Sequence, residues 1–127
     1  MKNNFFYILL FICISNPLFS ENLNIQSKNI SIDKKLKLTV FENEVVAKDE
    51  KNNVFKTNYA EYDKDLKLLK SKDETSILTS EGFVVSGKNI LFDNEKKVIK
   101  SNDDAIITDL EGNEIYLEKF EYSTKNN

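Results

Sequence analysis

The chain of 127 residues carries 18 basic and 21 acidic side chains, a formal net charge of −3, no His and a single Cys. An imidazole general base, a His-dependent triad and a zinc site with His ligands are therefore excluded, and a lone Cys13 supports neither a Cys-ligated cluster nor an intramolecular disulfide. One Pro and three Gly exclude collagen-like or Gly-rich sequence, the length allows one domain, and net acidity gives no basis for non-specific nucleic-acid binding.

Residues 1–20 read as a secretory signal. Lys2 supplies a positive start, Phe5 to Ile14 is an uninterrupted apolar run, and Ser15, Asn16 and Pro17 lead to a small residue at Ser20. The run is shorter than the roughly 20 residues that span a bilayer. Cleavage is expected after Ser20, with a retained anchor as the alternative because Leu18 is larger than the usual small residue at that position. The bulky Phe11 and Ile12 ahead of Cys13 argue against a lipid-attachment site there. Residues 21–127 then form one exported domain without cysteine, which must be held by its own core. Such a chain fits a bacterial periplasm.

Residues 21–127 repeat every 30 positions. Asp33, Asp63 and Asp93 are in step, with Ser123 in the fourth place. Ile30, Ala60, Ile90 and Phe120 form one column; Ile32, Tyr62, Phe92 and Tyr122 form another. Leu36 aligns with Leu66, and Leu38 aligns with Leu68 and Val98. Ala47, Ile77 and Ile107 align, as do Phe55, Val85 and Ile115, with Asn52, Gly82 and Gly112 close before the latter. No gap is needed over three and a half units.

Within each unit, short apolar runs rich in Ile, Val, Thr and Phe are separated by turn residues. Asp33, Asp63 and Asp93 mark one turn, because Asp bonds nearby backbone amides. Gly82 and Gly112 mark a second, where positive φ is free of steric cost. A helix over residues 59–72 would suit the local composition, but the aligned segments 29–42 and 89–102 are strand-like, and equivalent repeat positions share a structure. The expected fold is all-β: eight to ten short antiparallel strands from stacked hairpin-like units, with one apolar face per strand to be covered.

Val54 to Asp63 (VFKTNYAEYD), Val40 to Ala47 (VFENEVVA) and Ile25 to Asp33 (IQSKNISID) together resemble the repeated elements of the OstA-like family. These are the periplasmic lipopolysaccharide-transport proteins of the LptA type, with their LptC and LptD relatives. The resemblance runs from about Leu23 to Ser123, with Glu42 where the family usually has Gly. It implies a non-catalytic β-jelly roll folded like a taco shell, with an apolar inside along which lipid A acyl chains slide. It further implies head-to-tail self-association through end strands, and docking to an LptC-like inner-membrane partner and an LptD-like outer-membrane partner.

A conduit of this kind is physically reasonable. Each methylene left in water costs about 0.8 kcal/mol, so one long acyl chain costs roughly 10 kcal/mol. Repeat columns in register supply a long aliphatic path. The expected lining is Ile30, Ile32, Leu36, Leu38, Ala60, Tyr62, Leu66, Leu68, Ile90, Phe92, Val98, Phe120 and Tyr122. The same columns would equally serve as a closed core.

The other polar features read as structural. Lys34, Lys35, Lys37, Lys64, Lys67, Lys96, Lys97 and Lys100 are interleaved with acids as on a solvated face, although lysines at a groove mouth would also suit lipid phosphates. Asp33, Asp63 and Asp93 are one repeat apart, not gathered at one site, and no Asp-x-Asp-x-Asp-Gly calcium loop is present. Asn29 begins a glycosylation sequon inside a strand pattern, read as coincidence. No Gly-rich loop with Lys-Ser/Thr indicates a nucleotide site, and no cofactor or enzymatic activity is expected. Leu23 to Ile32 and Ile115 to Ser123 open and close the domain; left unpaired, each edge can add to another sheet, unless Lys28, Lys119 and Glu121 act as charged guards. The rival readings are the periplasmic N-terminal domain of an LptD-type assembly protein and a structural β-repeat protein that binds no lipid.

Overall fold

A computed structural model describes residues 23–125, and the segment read as a signal lies outside them. The described residues form no helix and twelve antiparallel strands in one sheet: β1 (Asn24–Gln26), β2 (Asn29–Asp33), β3 (Leu38–Lys48), β4 (Val54–Asp63), β5 (Leu68–Ser71), β6 (Thr75–Leu78), β7 (Val84–Gly87), β8 (Leu91–Asp93), β9 (Val98–Ser101), β10 (Ala105–Thr108), β11 (Glu114–Leu117) and β12 (Phe120–Ser123). The all-β architecture read from the repeat is the observed one, and the sheet is consistent with the jelly-roll or taco form that the resemblance implies. Twelve strands replace the expected eight to ten, because most long strands break where the sheet turns a corner.

Two wings share that corner. The first wing runs β1, the second half of β3, the first half of β4, then β6, β7, β10 and β11. The second wing runs β2, the first half of β3, the second half of β4, then β5, β8, β9 and β12. β3 crosses the corner through a bulge between Glu42 and Val45, where Asn43 and Glu44 take φ of 68° and 53°. An extra residue bends a strand sharply and raises its local twist.

The 30-residue period reappears in the turns. In the second wing, the Oδ1 atoms of Asp33, Asp63 and Asp93 each accept two backbone N–H bonds from residues two and three further on, at 2.9–3.1 Å. Lys37, Lys67 and Lys97 close these turns with φ of 57°, 56° and 59°. In the first wing the turns 49–53, 79–83 and 109–113 close through Asn52, Gly82 and Gly112 at positive φ. Asn tolerates the left-handed conformation better than other side chains, which explains its place in a glycine column.

The space between the wings is filled. Phe41, Val45, Ala47, Phe55, Ala60, Leu69, Ile77, Val85, Ile90, Phe92, Ile99, Ala105 and Phe120 form one buried cluster drawn from both wings. Burial of each large side chain contributes about 1.5–3 kcal/mol. At the corner, hydroxyls satisfy polar groups that the bend leaves unpaired. Ser71 Oγ accepts from the Ile90 N–H at 3.1 Å, and Thr75 Oγ1 lies 2.7 Å from it.

Candidate functional site

Antiparallel register decides which side chains face the interior. In the second wing, Ile32, Thr39, Tyr62, Leu69, Phe92, Ile99 and Tyr122 stand in one cross-strand row. Ile30, Phe41 and Ala60 stand in the next row of the same face, with Ser71. In the first wing the inner row is Ile25, Ala47, Phe55, Ile77, Val85, Ile107 and Ile115.

The sequence-derived lining divides three ways. Ala60, Ile90, Phe92 and Phe120 are buried on the inner side, and Tyr62 and Tyr122 pack beside them half-buried. Ile30 and Ile32 share the inner face but lie on the outermost strand, 60% and 69% exposed. Leu38, Leu68 and Val98 do not join them. They pair with Asp63 and Asp93 in a row on the opposite face. The reason is parity: Ile32 pairs with Thr39 across the first turn, so even-numbered positions before a turn share a face with odd-numbered ones after it. Leu69 and Ile99, one residue further on, take the inner places. Leu36 and Leu66 belong to neither face. They sit in the turns 33–37 and 63–67, 64% and 60% exposed.

Phe55, Ile77 and Val85 belong to the same buried cluster, although the expected lining does not include them. Their signal was present: the 47/77/107 and 55/85/115 columns are as apolar as those of the second wing. The sequence did not indicate that they face Phe92 and Leu69 across one interior.

The free margins of the wings meet along a polar seam. Lys97 Nζ lies 3.5 Å from a carboxylate oxygen of Glu50. The Tyr122 hydroxyl donates to Glu81 at 2.9 Å, and Lys51 Nζ donates to the Lys125 carbonyl at 2.8 Å. The wings are thus staggered: the first turn of the first wing meets the third turn of the second. Inner-face apolar groups are left uncovered at opposite ends, Ile30 and Ile32 at the start of the second wing and Ile115, 52% exposed, at the end of the first.

Four edges are open among the described residues. β1 and β2 pair only with β3, β11 only with β10, and β12 only with β9. The charge near them is uneven. Lys34, Lys35 and Lys37 follow β2, whereas residues 101–124 hold seven acidic side chains against Lys119.

The outer surface offers less. A cleft of about 960 Å³ outside the corner is lined by Glu74, Lys88, Asp103, Asp104, Tyr116 and Glu118 among others, a mixed surface unlike the interior. On the outer face of β4, Tyr59 donates to Glu61 at 2.7 Å and Lys72 lies 3.2 Å from the same carboxylate, with its ammonium 5.3 Å from the Tyr59 ring. That hydrogen bond pushes the Tyr59 hydroxyl up to about 12 and holds the Glu61 carboxyl below its usual range. Asp33, Asp63 and Asp93 are engaged in their own turns. No protein-family model matches the chain, and a search of curated proteins finds no match.

Proposed function

We propose that this chain carries apolar lipid chains along the space between its wings, as a periplasmic bridge component for lipopolysaccharide between an inner-membrane and an outer-membrane partner. The observation that supports this most is the continuity of the inner face. The apolar rows of both wings run the length of the sheet and emerge uncovered at both ends, at Ile30 and Ile32 and at Ile115. The OstA-like sequence pattern adds the cargo: lipid A acyl chains.

The closed interior limits how such cargo enters. Phe55, Leu69, Phe92 and Ile99 are 0–1% exposed, so a chain is admitted where the ends leave the face bare or where the wings part at the seam. The seam is polar and partly exposed, and surface pairs are each worth about 1 kcal/mol or less. An incoming chain gains about 0.8 kcal/mol per methylene removed from water, so a long chain outweighs the seam. The chain's own chemistry is shielding; the energy for directional movement comes from outside it. The open edges at β1, β2, β11 and β12 suit the LptC-like and LptD-like partners by strand addition.

The filled interior also favours a second reading, a structural repeat protein that assembles without cargo. Incubation of the purified chain with lipopolysaccharide separates the two. Co-elution of lipid with the protein, competed by free lipid A, is expected for a carrier. A folded, β-rich protein that retains no lipid supports the structural reading.

A further inference from the structure

We propose that the turns 33–37 and 63–67 dock this chain on the surface of an anionic phospholipid bilayer, with Leu36 and Leu66 entering between the headgroups and the lysines around them holding the phosphates. This surface lies outside the inner face, so the inference stands apart from the cargo reading.

The turns themselves do not need leucine. Leu36, Leu66 and Lys96 hold the same place in three equivalent turns. The backbone N–H of each donates to the turn's own Asp, at 3.1, 3.0 and 2.9 Å. Lys96 makes that bond as well as the leucines do, yet the first two turns carry a large apolar side chain that stays mostly in water. Strand order sets the two leucines side by side. β2, β3, β4 and β5 are successive neighbours, so the turns lie two strand spacings apart, about 10 Å. Ile32, just before the first turn, is exposed as well. The first wing does not cover them, because its first turn is engaged further along, where Glu50 meets Lys97 of the third turn.

Charge singles out the same margin. The turn 33–37 has three lysines to one acid, a net +2, and the turn 63–67 is neutral with two of each. Among the described residues, Lys34, Lys35, Lys37 and Lys64 form no ion pair with a carboxylate. The exposed aliphatic side chains of the first wing sit amid the opposite sign: Leu110 lies between Asp109 and Glu111, and Ile115 follows Glu114. An anionic surface thus attracts one margin and repels the other. That asymmetry sets an orientation for a chain whose net charge is −3.

The arrangement suits a bilayer better than an added protein strand. A strand pairing with the edge of β2 would reach Ile30 and Ile32 but not Leu66, which belongs to a turn two strands away. A bilayer surface meets both tips at once. It takes aliphatic groups at the headgroup boundary and sets its phosphates against lysine.

The test uses the full chain with Cys13→Ser and one introduced cysteine, Leu36→Cys, Leu66→Cys or Leu110→Cys, labelled with an environment-sensitive fluorophore. Vesicles of phosphatidylglycerol and phosphatidylcholine should raise and blue-shift the emission at positions 36 and 66 and leave position 110 unchanged. Vesicles of phosphatidylcholine alone should change none of them. Lys34→Ala with Lys35→Ala, which spares the positive-φ Lys37, should weaken the response roughly 25-fold, since each lysine near an anionic surface is worth about fivefold. Added salt should reverse it. The label reads the turn itself, so attachment of the chain through its apolar N-terminal run alone leaves it silent. Silence at positions 36 and 66 in folded protein would overturn the proposal, whether or not the chain sediments with the vesicles, as would an equal response at position 110. A response that rises with protein concentration in the absence of vesicles would assign the turns to contact between copies and overturn it too.

Discussion

The hydroxyl of Tyr122, on the last strand of the second wing, donates to the carboxylate of Glu81 in a turn of the first, across 2.9 Å. The two residues are 41 positions apart in a sheet whose strands otherwise pair with near neighbours in sequence. Their bond, with Lys97–Glu50, fixes both the closure of the wings and their stagger.

Weakening the seam should loosen it without unfolding the sheet. Tyr122→Phe and Lys97→Met are each expected to lower stability by about 1 kcal/mol or less, measured by urea denaturation. Amide exchange should accelerate in the turns 49–53 and 79–83 and leave the central strands β4 and β5 unchanged.

Neighbouring leucines should respond very differently. Leu69→Ala removes a fully buried side chain, at a cost of about 2–5 kcal/mol. Leu68→Ala, half-buried on the opposite face, should cost about 1 kcal/mol or less. Equal losses in denaturation midpoints would contradict the assigned faces.

Asn53 and Asn113 occupy equivalent turns in different surroundings. Asn53 is fully buried; its side chain donates to Asp49 at 2.8 Å and accepts from the Ser80 N–H at 2.8 Å. Asn53→Ala removes both bonds, leaving the Ser80 N–H without its acceptor and Asp49 with only the backbone N–H bonds of Lys51 and Asn53, a loss of about 1–3 kcal/mol. Asn113 makes the corresponding bond to Asp109 at 3.0 Å in solvent, so Asn113→Ala should be milder in the same thermal melts.

Glu61 links stability to acid. Its folded carboxyl titrates below the usual 4.5, chiefly because Tyr59 donates to the carboxylate, and then through Lys72 against the opposing effect of burial. Such a group contributes stability fully present above its unfolded value and lost as pH falls through the lowered folded one. Glu61→Gln should therefore flatten the stability profile below about pH 4.5. An unchanged acid limb in pH-dependent denaturation would show that the Tyr59–Glu61 bond does not form in solution.

Much of this fold was legible because the repeat is unbroken. Asp33, Asp63 and Asp93 marked three equivalent turns, and all three carboxylates cap them in the same way. Face assignment was less legible. Leu68 and Leu69 are adjacent and both apolar, and only the pairing of Tyr62 with Leu69 decides which is inside. Nor did local pattern reveal the stagger, which depends on contacts such as Lys97–Glu50 between turns from different units. Ile30 and Ala60 share a column, yet one is exposed and the other buried, because a repeat assigns the same face to each unit but not the same neighbour.

The central claim, that the inner face receives lipid, is tested most directly by photo-crosslinking. A photoreactive side chain is placed in turn at Ile32, Leu69 and Phe92 on the inner face, and at Leu68 and Lys70 on the outer. Lipopolysaccharide is expected to crosslink from the three inner positions and from neither outer one. No crosslink from any inner position in folded protein, or equal crosslinking from both faces, would contradict the account.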